Sequence, residues 1–202
     1  MSRIPATERR AALAHAALAV IARDGVAAAT TRAIAAEAGM PLASFHYAVP
    51  SRDELLSDVI ELVVAGEGTV TLGSLAADAP DLRSAVRATF AAYLELVRAD
   101  PAHEQAMFEL TQHALRTPAL AGLPRQQYDS YRALAGQLLA AGAEQHGAEW
   151  TLPVDDLARL VIALTDGITL SWLADRDDAA AERLLDLATD AIMTHTLNGA
   201  HA

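Results

Sequence analysis

The 202-residue chain has no cysteine and no lysine, and aromatic residues make up only 4% of it. Without cysteine there is no disulfide framework, no thiolate metal centre and no cysteine nucleophile, which agrees with a reducing compartment. Without lysine, all 15 basic side chains are arginine, which removes Schiff-base chemistry and the lysine of a phosphate-binding loop. No G-x-S-x-G, glycine-rich phosphate loop or dinucleotide fingerprint occurs. The one acid and base grouping worth testing is His103-Glu104 with Glu109 and His113. Its histidines stand ten apart, and an H-E-x-x-H zinc site needs them four apart on one helical face. Asp155-Asp156 with Asp166 reads as a helix cap and a surface charge rather than a metal cluster. The sequence therefore predicts no enzyme, no metal and no cofactor.

What is present is apolar and unevenly charged. At 52% hydrophobic residues, the chain has enough material for a full core and room for a small head beside a larger second domain. Residues 1–52 hold six arginines (3, 9, 10, 23, 32 and 52) against Glu8, Asp24 and Glu37, a net of +3, so the remainder carries −14 of the total −11. A basic head of this kind can touch phosphates while an acidic body limits indiscriminate binding to polyanions. Arg3, Arg9 and Arg10 read either as a flexible arm reaching a minor groove or as a solubilising end.

Arg9-Arg10 followed by an alanine-rich apolar run resembles an export signal. Against that, His15 interrupts it, Arg23-Asp24-Gly25 follows directly, and Leu13, Ala16, Ala17, Val20 and Ile21 share one helical face. A packed first helix ending near Gly25 is expected. No other apolar run is judged to approach the roughly 20 residues that span a bilayer. A cytoplasmic location with no membrane partner follows as an expectation.

Residues Thr30 to Arg52 carry the densest signal. Thr30 or Thr31 can cap a helix whose Ile34, Ala35 and Ala38 recur on one face, and Gly39 ends it. Pro41 suits the first turn of the next helix, where Leu42, Phe45 and Val49 form an inward stripe. Ala43, Ser44, His46, Tyr47 and Ala48 are small, hydroxylated or hydrogen-bonding, as a surface entering a major groove must be. Ser51 and Glu54 then make an S-x-x-E capping box for a third helix. The remainder reads as helices at about 52–66, 82–99, 102–115, 124–146, 154–174 and 179–196, broken at prolines and glycines. The fold class is all-α: a three-helix helix-turn-helix head over residues 1–50 and a larger helical body over 51–202.

These residues resemble the tetracycline-repressor (TetR) family of bacterial regulators. The likeness rests on Gly25, Thr30, Ile34-Ala35, Ala38-Gly39, the run Phe45 to Val49, Arg52 and Asp53-Glu54-Leu55-Leu56. The chain departs from the family pattern at His46, Ala48, Val49 and Pro41. The resemblance implies phosphate contacts from Thr30, Thr31, Tyr47 and Arg52 and groove contacts from Ala43, Ser44 and His46, with Leu42 against the backbone or a thymine methyl. Thr30 also reads as a plain N-cap, Arg52 as a solvated helix start and His46 as a packing residue. The implied partner is double-stranded DNA bearing a palindromic operator.

The body is expected to form a homodimer and to bind a small-molecule effector. Leu157, Leu160, Val161, Leu164 and Ile168, with Gly167, and then Leu184, Leu185, Ala188, Ala191 and Ile192 favour a four-helix seam through the last two long helices. Phe90, Tyr93, Met107, Phe108, Thr111, Tyr128, Tyr131 and Trp172 are the ligand-binding candidates, a mixture of apolar walls and few polar groups; core packing is the alternative for each. The rival reading is a helical interaction module whose head no longer reads DNA.

Overall fold

The computed structural model describes residues 5–62 and 79–197, and in them the chain is a succession of helices. Helix α1 spans Ala6–Asp24, α2 Thr31–Glu37 and α3 Leu42–Ala48, and residues 52–62 are helical as α4. Helices α5 (Leu82–Ala99), α6 (Pro101–Arg116), α7 (Leu123–Gln145), α8 (Val154–Asp175) and α9 (Asp178–Met193) follow. Arg3, the end of the expected 52–66 helix and most of the turn expected from Gly66 to Pro80 lie outside the described residues.

Among the described residues, two compact units form, one from residues 5–62 with 100–127 and one from 79–99 with 128–197. In the first unit, Leu13, Ala17, Val20 and Ile21 of α1 share a core with Ile34, Phe45, Leu55, Leu56 and, from α6, Leu110. Burying that many aliphatic side chains, at about 1.5–3 kcal/mol each, is what makes short α2 and α3 persist as helices. Gly25 ends α1 with φ 85° and Gly39 ends α2 with φ 64°, left-handed backbone that a side chain would strain. Pro41 is not inside the first turn of α3, as expected, but is its N-cap, with φ −59° and ψ 143°. That position suits proline because an N-cap residue is extended and its own N–H joins no helical bond.

The second unit is built on Phe90, Leu94 and Val97 of α5, Ala135 and Leu139 of α7, Leu157, Ile168 and Trp172 of α8, and Leu185, Ala188 and Ile192 of α9. An ion ladder joins α5 to α9: Arg83 pairs with Asp190, Arg87 with Glu182 and Asp186, and Arg98 with Glu182 and Asp178. Asp178 also accepts the Trp172 indole N–H at 2.9 Å. That hydrogen bond, with help from Arg98, holds its carboxyl below the usual range. A folded-state pKa below the unfolded value gives stability that is present above about pH 4 and lost as pH falls through the folded value. The melting temperature of the native chain is therefore expected to fall more steeply below about pH 4 than that of Asp178→Asn, as measured by circular dichroism.

Two expectations need correction. The chain is not free of strand, since Glu149–Trp150 pairs antiparallel with Thr196–Leu197. Helix α9 ends at Met193, and Thr196, the last residue of the helix expected over 179–196, belongs to this ladder. Its anchor is tertiary: the Trp150 indole donates to the Leu139 carbonyl at 3.0 Å, and Thr151 N–H to that of His195 at 2.8 Å. The second concerns α8, whose 22 residues and mean hydropathy of 1.4 over its most apolar window suffice by length and composition to cross a membrane. Its acids gather at the ends, leaving Arg159 and Asp166 alone as charges within residues 157–174. Only 28% of that window is buried within the chain.

Candidate nucleic-acid interface and effector site

The helix-turn-helix is assembled from local chemistry. Thr30 caps α2 by accepting the Ala33 N–H at 3.1 Å, and Ser51 caps α4 by accepting that of Glu54 at 3.1 Å. Each such cap stabilises its helix by about 1 kcal/mol. Phe45 and Val49 are sealed in the core, so the remaining face of α3 is forced outward. On that face Tyr47 is 85% exposed and Leu42 37% exposed, with Ala43 and His46 also in solvent and Ser44 half-buried. A tyrosine left that open serves no core, so its ring and hydroxyl are free for another molecule. On the first turn of α2, Thr30 is exposed and Thr31 half-buried.

Arg52 has a different position. Its guanidinium donates to the Ala29 carbonyl at 2.6 Å and the Val26 carbonyl at 2.5 Å, both in the short 3-10 turn between α1 and α2. Glu109 of α6 holds the same turn at Val26, accepting its N–H at 2.9 Å. A Cβ at Gly25 would also stand 3.2 Å from both Glu109 carboxylate oxygens, so that side chain would have to give way. The sequence reading missed Glu109 in this role, because a carboxylate on a distant helix gives no local sign that it caps a turn. It also passed over Arg32, which is exposed on α2 and has no ion-pair partner among the described residues. Arg9 and Arg10, in contrast, form no free arm. They lie within α1, and Arg10 makes two hydrogen bonds to Asp58 of α4, at 2.6 and 2.8 Å.

The ligand candidates separate between the two units. Met107, Phe108 and Thr111 belong to the first, where Met107 is buried and the Thr111 hydroxyl bonds Gln127 at 3.1 Å. Phe90, Tyr93, Tyr128, Tyr131 and Trp172 belong to the second. There the Thr169 hydroxyl lies 3.3 Å from that of Tyr93, Tyr128 donates to Asp166 at 2.8 Å, and the Tyr128 and Tyr131 rings lie 5.9 Å apart. Phe90 and Trp172 are fully part of the core. Trp172 is further committed to Asp178 and to Arg176, whose guanidinium stacks 4.3 Å from the ring centre.

A capped helix-turn-helix whose exposed face is free of core duties, joined to a helical body, defines a DNA-binding regulatory protein. Residues 13–59 match the family model of bacterial regulatory proteins of the tetR family, and residues 82–196 that of the BetI-type transcriptional repressor C-terminal domain. The chain is 31% identical over 195 residues to the nicotine-responsive transcriptional repressor HdnoR of Paenarthrobacter nicotinovorans, covering 95% of this chain and 97% of that one. Among solved structures, a transcriptional regulator of Pseudomonas aeruginosa PAO1 aligns with TM-score 0.74 and 23% identity, covering 95% and 93% of the two chains. The multidrug binding protein EbrR complexed with ethidium aligns with TM-score 0.70 and 26% identity, covering 91% and 98%. The chain belongs to the TetR family of transcriptional repressors.

Proposed function

We propose that the protein is a cytoplasmic homodimeric repressor that binds a palindromic operator and is released from it by a small apolar or amphipathic effector. The observation that carries the DNA half is the 85% exposure of Tyr47 on a helix whose other face is sealed by Phe45. In this reading Thr30, Thr31, Tyr47 and the exposed Arg32 meet phosphates, while Ala43, Ser44 and His46 face the groove and Leu42 a thymine methyl or sugar. Arg52 acts one step behind them, as the strut that fixes the turn carrying α2.

A single head reads too few base pairs for useful specificity, so two must act at about 34 Å spacing. Leu157, Ile168, Leu185, Ala188 and Ile192, expected at the seam, are core within the chain, so the support for a dimer lies on the open sides of α8 and α9. Leu170 is 51% and Leu187 62% exposed, and Ala163, Gly167 and Ala174 lie on the same open side of α8 as Leu170. Small residues interspersed with leucine allow two helices to approach closely across a two-fold axis. The effector then acts by binding one dimer conformation better than the other, so that effector and operator affinities oppose one another. The curated relative is named nicotine-responsive and EbrR has been crystallised with ethidium. Both compounds are nitrogenous aromatics.

Fluorescence anisotropy on the upstream intergenic duplex, against a scrambled one, tests the reading. Tyr47→Ala is expected to leave the melting temperature within about 1 °C, since an exposed side chain contributes little to folding. It is expected to weaken specific binding about tenfold, the loss of roughly 1.4 kcal/mol. Equal affinity for both duplexes, unaffected by Tyr47→Ala, would instead favour the non-DNA interaction module.

A further inference from the structure

In the second unit Asp166 is a carboxylate without a counter-charge. It lies within α8, is half-buried, and among the described residues its one polar partner is the Tyr128 hydroxyl, which donates to Oδ2 at 2.8 Å. Among the described residues no hydrogen-bond donor reaches its Oδ1. Burial raises its pKa above the usual carboxylate range, opposed by the Tyr128 hydrogen bond, and the Tyr128 phenol is itself pushed upward, so it stays a donor at neutral pH.

All but one of the described arginines of this unit are committed elsewhere. With no lysine in the chain, only arginine supplies a fixed positive charge. Arg83, Arg87 and Arg98 pair with the acids of α9, Arg132 with Asp129 and Arg159 with Asp155, and Arg176 stacks on Trp172. Arg183 is exposed on α9. A partly desolvated carboxylate kept without a cation is unfavourable by itself, and it becomes favourable when a cation arrives from outside. The surroundings suit an organic one. Tyr128, whose hydroxyl meets the carboxylate, has the Tyr131 ring 5.9 Å from its own at a 60° tilt, and the Tyr93 and Thr169 hydroxyls meet one turn further along α8. Aromatic faces around an anionic group attract protonated amines and quaternary ammonium ions over neutral molecules of the same shape.

We infer that the effector is an organic cation whose charged nitrogen is bound by the Asp166 carboxylate, with Tyr128 orienting that carboxylate and the Tyr128–Tyr131 pair flanking the cation. This rests on the effector-responsive reading above. The acidic body, at −14 over residues 53–202, adds a long-range attraction for the same class of ligand.

The test uses the full chain and two matched pairs of probes near neutral pH. Nicotine and ethidium are cationic there, and cotinine and phenanthridine are their neutral counterparts. Calorimetry on the native protein is expected to show each bound cation at least about tenfold tighter than its neutral partner. Asp166→Asn, nearly isosteric, is expected to lose about tenfold in cation affinity and to leave neutral affinity unchanged. Equal affinities within each pair, or no cation bound at about 1 mM, would overturn the inference. So would an Asp166→Asn variant that keeps cation affinity while its dimer weakens, which would assign the carboxylate to a subunit contact. Should that variant fail to fold, the selectivity of the native protein decides. Operator binding is measured in parallel. If DNA is bound and neutral compounds release it, the effector-responsive reading stands and the cation fails; if no duplex is bound specifically, that reading itself fails.

Discussion

Replacing Arg52 by lysine is expected to reduce specific DNA binding about as much as replacing it by alanine. The reason is geometric. Arg52 spans two carbonyls, of Ala29 and Val26, with two nitrogens of one rigid guanidinium. A lysine carries the same charge but has a single point of donation, so it would serve a phosphate contact and fail as a strut. Each charge-assisted hydrogen bond contributes about 1.5–3 kcal/mol when its partner is otherwise left unmet. Losing one or both would lower the first unit's stability by about 2–3 kcal/mol and its melting temperature by several degrees. Glu109→Ala acts on the same turn and is expected to produce a similar loss, because it strands the Val26 N–H. Glu109→Gln keeps an acceptor and should retain most of the stability. Thermal melts combined with anisotropy check all four variants. A lysine variant with native stability and near-native DNA affinity would restore the phosphate assignment for Arg52.

The second large effect is expected at the open face of α8 and α9. Leu170→Asp combined with Leu187→Asp should yield a monomer that still folds and whose operator affinity is lower by about a hundredfold or more. Leu170 and Leu187 are already half or more exposed in the single chain, so their replacement removes little from its core. In a two-fold dimer each leucine is buried twice, at about 1.5–3 kcal/mol per side chain. Carboxylates placed there would face their own symmetry mates, with desolvation and like-charge repulsion both opposing association. Light scattering reports the mass and anisotropy the affinity. A variant that remains dimeric at native affinity would place the interface elsewhere.

Much of this molecule is legible before folding is considered. The helix expected over 82–99 is Leu82–Ala99, and that expected over 154–174 is Val154–Asp175. Both are bounded by residues whose backbone preferences are strong, Pro80, Asp100-Pro101, Pro153 and Asp177. Thr30 and Ser51 cap as their spacing implies, because a cap needs only a hydroxyl and an N–H three residues away. Tyr47 emerges on the open face because Phe45 and Val49, on the apolar stripe, must go inward. The roles of Arg52, Arg10 and Glu109 were not legible, since their partners lie 26, 48 and 83 residues away in the chain. No periodicity reports such a pairing.

By itself, then, the sequence determined the all-helical class, the capped helix-turn-helix, the basic head and acidic body, and the apolar stripes of α8 and α9. Each of these depends on interactions within a few turns of chain or on composition alone. Tertiary structure decided that residues 100–127 pack with the head, and that Arg52 and Glu109 hold one turn, the first by its carbonyls and the second by its N–H. It also decided that Asp166 is paired with a tyrosine and, among the described residues, left without a cation. Those outcomes depend on which distant groups burial brings within about 3 Å, and hydrogen bonds of that length are set by packing rather than by any local preference.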